Sequence, residues 1–438
     1  MPRVELPHLP GGPGSGSGGG FFEQFLADLL RMMGSGGPGG PARLETAKAM
    51  ARQVAAEDDE PNVDPAERMA LEALLPVAEL HVAELTGLAV ADGRVTLEVV
   101  PPGEWAARTV EDWAFLLEVE PPPPRLGPPG SEELDEQMAA LQGFVSQALA
   151  TMGPLLAAMQ LGSAVGHLAR VALGQYELPV PRPSRRADRL LLCPRALARF
   201  AGDWSLPAED VRLWVLLRDL AVHAALRRPA VAERFRELLR QVTLATAIDQ
   251  GRLFERLQDV DLSDPASLGQ LFADPTQLLG AAEVSPARQQ AVEELAAATS
   301  ALAGYVEWVL DRAAERLLGG RLALAEAWRR RQVERDDAER AAEELLGLDL
   351  GPQRVDRGSE FVRGVVERAG EQAVAWLWRS GATVPTPAEL DAPGLWLERV
   401  RLAGELPPGA TPEGTGPEGA TPPEGDGPEG TGPRDPER

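Results

Sequence analysis

The sequence predicts a mainly α fold: a multi-helix body with few short strands, set between flexible Gly/Pro-rich termini. Three observations carry that reading. Apolar residues recur at helical spacing through most of the middle of the chain. Only Val95–Val100 (VTLEVV) and Leu190–Cys193 (LLLC) read as strands. Glycine (45) and proline (40) are abundant and gather at the two ends.

Taken in order, residues 1–41 form a flexible Gly/Pro-rich arm, with GGPGSGSGGG and GSGGPGGP flanking a short apolar island. In that island Phe21, Phe25 and Leu29 recur at i, i+4, i+8. The spacing suits a short amphipathic helix that either docks on its own body or offers a face to a partner. The body spans 42–403. Within Ala66–Leu85, Met69, Leu71, Leu74, Leu75, Ala78 and Val82 fall on one helical stripe. Ser131, followed by Glu132 and Glu133, reads as a helix start. A helix is expected over about 154–173. The most apolar one lies within 206–226, where Pro207, Glu209 and Asp210 mark an N-terminus. Further helices are expected at 229–247, 286–318, 321–346 and 359–379, with loop or extended chain at Pro121–Pro124 and 179–187. From 404 to 438 the acidic, repetitive Pro/Gly/Glu tail has no aromatic residue and reads as disordered.

Composition excludes several classes of function. The formal net charge is −24, which argues against nucleic acid or an anionic membrane as the main partner, because both need a basic face. A 44% apolar content supports a sizeable core. Single occurrences of Lys48, Ile248 and Asn62 read as the codon usage of a GC-rich genome. One cysteine, Cys193, excludes an internal disulfide framework and a Cys-cluster zinc site. That fits a reducing, cytoplasmic location, as does an N-terminal segment without signal-peptide character. No stretch approaches the roughly 18 continuous apolar residues of a membrane span.

Residues able to carry chemistry are few. The histidines are His8, His81, His167 and His223. Asp219 and His223 stand at i, i+4, one helical face, a spacing that serves either an intrahelical contact or two metal ligands. No Ser occupies a G-x-S-x-G turn and no glycine loop sits in a strand-to-helix unit. Cys193, in an apolar run, reads as a buried structural thiol. The tryptophans read as core, and Arg329-Arg330-Arg331 as a solvated helix with local ion pairs.

Four stretches carry a family resemblance: 42–57 (ARLETAKAMARQVAAE), 66–87 (AERMALEALLPVAELHVAELTG), 174–183 (GQYELPVPRP) and 203–219 (DWSLPAEDVRLWVLLRD). Over about 42–395 the chain resembles the zincin-like metallopeptidase family of actinobacteria and related bacteria, and the resemblance implies a zincin-like helical body. In catalytic relatives the last stretch runs into a His-Glu-x-x-His helix. Two imidazoles four residues apart share one zinc, and the glutamate acts as general base on the metal-bound water. Matched to that motif, this chain places Arg218 at the first His, Asp219 at the Glu and Val222 at the second His. Guanidinium has no acceptor and valine no lone pair. His223 falls one residue late, about 100° round the helix. A downstream acid-bearing stretch of the relatives matches Ala303 to Asp311, where Gly304 and Asp311 persist but Ala303 holds the glutamate position.

The resulting expectation is a catalytically inactive family member, a pseudoenzyme with no catalytic residue, metal or cofactor, retained to interact with an unknown protein or peptide. The alternative is a zinc-dependent hydrolase with a relocated site at Asp219, His223, Glu307 and Asp311. Arg218 is expected to pair with Asp311 or Glu307 at the vacated metal position.

Overall fold

The computed structural model describes residues 40–56, 62–118, 153–184, 188–246, 286–319, 321–335 and 337–405. The island at Phe21–Met33, the Ser131 helix start, Pro121–Pro124 and nearly all of the two terminal segments lie outside them. The described chain is mainly helical. In order it runs α1 (Gly40–Ala55), α2 (Pro65–Thr86), β1 (Thr96–Val99), α3 (Pro102–Asp112) and α4 (153–169), then β2 (Arg189–Leu192) and α5 (Pro194–Asp203). It continues with α6 (Ala208–Leu226), α7 (Pro229–Thr246), α8 (Pro286–Leu317), α9 (Arg321–Val333), α10 (Asp337–Leu346) and α11 (Pro352–Ala369). A 3₁₀ stretch (Glu371–Trp378) and the short helices α12 (Pro387–Leu390) and α13 (Pro393–Leu402) follow. Among the described residues no helix is long and apolar enough to cross a membrane.

Both expected strands form. They pair parallel with Thr96 opposite Arg189 and Val99 opposite Leu192. Helix α2 behaves as its pattern predicts: Leu71, Leu75, Ala78 and Val82 are buried. Its start is capped by Asp64, whose carboxylate accepts the Ala66 N–H at 2.8 Å, and Gly87 ends it in the left-handed region. Met69, placed on the stripe by the sequence, points to solvent instead, because it lies off the i, i+4, i+7 line of the buried residues.

Two boundaries differ from expectation. The helix expected over 321–346 is two helices, with Arg335 between them turned to pair with Glu343. The helix expected over 359–379 starts earlier, at Pro352, and stops at Ala369. There Gly370, at φ 77°, turns the chain into the 3₁₀ stretch. The sequence also gave no warning of α3, α5 and α13. Each opens on a proline (Pro102, Pro194, Pro393) in the first helical turn, where the missing N–H costs nothing.

Helix α6 is the axis of the body, with α2, α5, α7 and α8 around it. Every residue from Leu213 to Leu226 is buried, so it has no solvent face. Arg218, Asp219 and His223 are therefore polar groups inside a core helix, and each needs a partner to offset desolvation. Close backbone approach frames this centre: a Cβ on Gly358 of α11 would collide with the Ser300 carbonyl of α8. One on Gly304 would strike the Gly358 carbonyl in return. The helices cross at a pair of glycines because no larger residue fits there.

Candidate functional site

The i, i+4 geometry of α6 sorts its polar residues onto two adjoining faces. Arg218 and Val222 line one cleft, and Asp219 and His223 lie one residue further round. Over the helix passes the Gly174–Glu177 turn, which follows α4. A Cβ on Gly174 would overlap Asp219 Oδ2, so only glycine lets this backbone come so close. The approach lets two amides donate to Asp219 Oδ2, from Gln175 N at 2.5 Å and from Tyr176 N at 3.3 Å. The Glu177 carboxylate folds back to accept the Leu173 and Gly174 N–H groups at 2.8 and 3.4 Å.

Arg218 closes this turn onto the helix. Its Nη2 donates to the Tyr176 carbonyl at 2.7 Å and its Nη1 to Asp219 Oδ1 at 3.2 Å. Nη1 also lies 3.8 Å from Glu177 Oε1. The guanidinium stacks 4.5 Å from the Trp328 ring centre. Arg331 completes the cluster: Nη2 reaches the Val171 carbonyl at 2.6 Å, and Nη1 lies 3.5 Å from Glu177 Oε2. On the other face Tyr176 Oη meets His223 Nδ1 at 2.9 Å.

Burial and charge act differently on the acids. Burial pushes the Asp219 carboxyl up to about 7, against the pull of Arg218 and the two amides. Burial also works to raise Glu177, but Arg331 and Arg218 outweigh it and hold that carboxyl below its ordinary range. Burial raises Glu307, and the nearby Asp311 adds to the effect. Burial also drives the Tyr176 hydroxyl well above its ordinary value.

The cleft is a cavity of about 90 Å³. Arg218 and Val222 of α6, Ala303 and Glu307 of α8, Glu177 of the turn and Trp328 of α9 share its wall, which is otherwise largely apolar. The structure thus brings together positions 218, 222 and 303. Asp219 is turned to the 174–177 loop, and Asp311 is exposed.

In a sequence comparison the zincin-like metallopeptidase family profile matches residues 44–397. The chain belongs to the zincin-like metallopeptidase family. No curated protein matches it. Among solved structures, a candidate hydrolase with a novel fold from Chloroflexus aurantiacus is similar, at 22% identity and a TM-score of 0.53. The match covers 82% of this chain and 98% of that one, and the likeness is one of fold.

A zinc ion of the kind the family name implies needs about three lone-pair donors at one point. The zincin-like cleft of this chain offers a guanidinium, a hydrocarbon at Val222 and a methyl at Ala303. Its Glu177 oxygens are committed to two amides and two arginines. The residues present do not fit the metal. The relocated set does not assemble either: Asp219 holds the turn, His223 meets Tyr176, and Glu307 faces the cleft. Among the described residues no three His, Cys, Asp or Glu side chains gather as a metal-binding group.

The expected partner of Arg218 needs correction. It pairs with Asp219 and Glu177, not with Asp311 or Glu307. The Gly174 turn sets Glu177 directly over α6, while Glu307 stands on another helix in the cleft wall and acts on Arg218 only at longer range. Arg331 is likewise no solvated surface residue, since its head is anchored on Val171 and Glu177. Glu177 and Arg331 are residues of the site that the sequence pattern did not single out. The one available signal was a glutamate embedded in the Gly-Gln-Tyr-Glu-Leu-Pro stretch.

Proposed function

We propose that this member of the zincin-like metallopeptidase family has given up zinc-dependent hydrolysis and serves as an interaction or scaffold protein for a protein or peptide partner. The observation that carries the reading is the Arg218 guanidinium. The resemblance matches it to the first metal-binding imidazole of the family motif, and it is paired with Asp219 and Glu177 and stacked on Trp328. A fixed positive charge there repels a dication, and breaking its pairs to admit one would take the cation from two buried carboxylates. The largely apolar 90 Å³ cavity beside it suits one small apolar side chain of a bound segment.

The test is elemental analysis and a peptidase assay on untagged protein purified without chelator. The expected result is a folded protein with zinc far below one equivalent and no peptide cleavage above background. Near-stoichiometric zinc that disappears in His223→Ala, or zinc-dependent cleavage, would overturn the proposal in favour of the relocated site.

A further inference from the structure

A second, smaller pocket shares only Tyr176 with the cleft. It lies where α6 ends and α7 begins. Its wall includes Arg182, Arg227, Arg236, Ser184 and His223, and among the described residues no carboxylate lines it. Pro229 and Ala232, from the first turn of the 18-residue α7, complete that side. The positive end of the helix dipole therefore faces the same space as three guanidinium groups.

The arginines are not used up by their structural partners. Arg182 has a side chain only 2% exposed. Its Nε donates to Asp112 at 2.7 Å and its Nη1 to the Arg189 carbonyl at 2.6 Å. Its Nη2 is buried and makes no hydrogen bond. Arg227 spends its two Nη groups on Asp92, Asp188 and the Ala89 carbonyl, while its buried Nε makes none. Arg236 donates to the Arg182 carbonyl at 2.6 Å. A buried N–H left without an acceptor costs about 1–3 kcal/mol, so two on residues that line one small pocket call for an acceptor within their reach.

The volume fixes the size of that acceptor. At about 10 Å³ the pocket takes one water-sized species. Water answers the chemistry poorly. It would bring two protons of its own to a wall whose side chains are mostly donors, with the Tyr176 hydroxyl already engaged by His223. A monatomic anion brings only acceptor capacity and meets the positive field. We propose that this pocket is a binding site for a single small inorganic anion of halide size, which ties α6, α7 and the 182–184 segment together.

The proposal is tested by following the melting temperature as sodium gluconate is replaced by sodium chloride or bromide at constant ionic strength. Halide should raise it saturably, by about 3.5 °C at a hundredfold excess over half-saturation, while gluconate, too large to enter, does not. Crystals grown with bromide should show its anomalous signal between Arg182 and Arg227. Arg182→Gln should abolish the halide response. Because that variant also strips Asp112 and can fail to fold, Arg236→Gln, which frees no buried acid, should shift half-saturation at least tenfold higher. Melting that follows ionic strength whatever the anion, water in place of bromide, or an unchanged response in Arg236→Gln would each overturn it.

Discussion

Replacing Arg218 by methionine tests the centre of the site. The variant keeps an apolar stem for Trp328 but deletes the cation. It removes the 2.7 Å bond to the Tyr176 carbonyl, the 3.2 Å bond to Asp219 and the 3.8 Å pairing with Glu177. Stripping one partner from a buried ion pair costs about 3–5 kcal/mol. Two features pull the cost to the lower part of that range. Asp219 keeps its two backbone donors and can take up a proton near neutrality, and Glu177 keeps Arg331. A net loss of about 3 kcal/mol remains. For a body of some 350 residues, melting entropy converts each kcal/mol into about 1.3 °C, so the midpoint should fall by roughly 4 °C in differential scanning calorimetry at pH 7.5. Adding Asp219→Asn should return part of that loss, because the neutral amide no longer needs the cation. A midpoint within about 1 °C of the parent for Arg218→Met would refute the claim that the guanidinium holds the turn and the helix together.

Asp219→Asn alone has a defined pH signature. The folded carboxyl titrates at about 7, above its unfolded value near 4. Its contribution is thus full below pH 4 and is lost as pH rises toward 7. In urea melts at pH 5, 6, 7 and 8 the variant should therefore gain on the parent up to about pH 7 and then hold a constant difference; a difference independent of pH would count against the assignment. Gly174→Ala should cost about 2 kcal/mol in denaturant melts, because its Cβ overlaps Asp219 Oδ2 and forces the turn off the helix. Gly358→Ala should be at least as damaging through its collision with the Ser300 carbonyl of α8, and wild-type stability in that variant would disprove the tight crossing.

Much of the architecture was legible because periodicity reports burial. The stripe on α2, the all-round apolar α6 and the two short strands follow directly from local pattern. Helix ends were less legible, since proline reads equally as a loop breaker and as a first-turn residue, and Pro102, Pro194 and Pro393 proved to be the latter. In the site, the family resemblance pointed to 218, 222, 303 and 311; the first three line one cleft, and Asp311 is exposed outside it. Motif spacing was silent on Glu177 and Arg331. They lie 41 residues before and 113 after Arg218, and only the tertiary crossing of the 174–177 turn and α9 sets them beside it. A run of three arginines likewise gives no local sign of which head turns inward.

Asp219 is held in this site as a structural acid. An acid that serves as general base must present an oxygen to substrate or solvent with a proton path open. Here the carboxylate is completely buried, with Oδ2 holding two amides and Oδ1 taking Arg218. Gly174 permits that geometry by having no Cβ to occupy the place of Oδ2. The turn, the acid and the arginine thus form one interlocked unit in which each part fits the other two. What the chain holds is a cation fixed over Trp328 and paired with Asp219 and Glu177, an arrangement that keeps the 174–177 turn seated on α6.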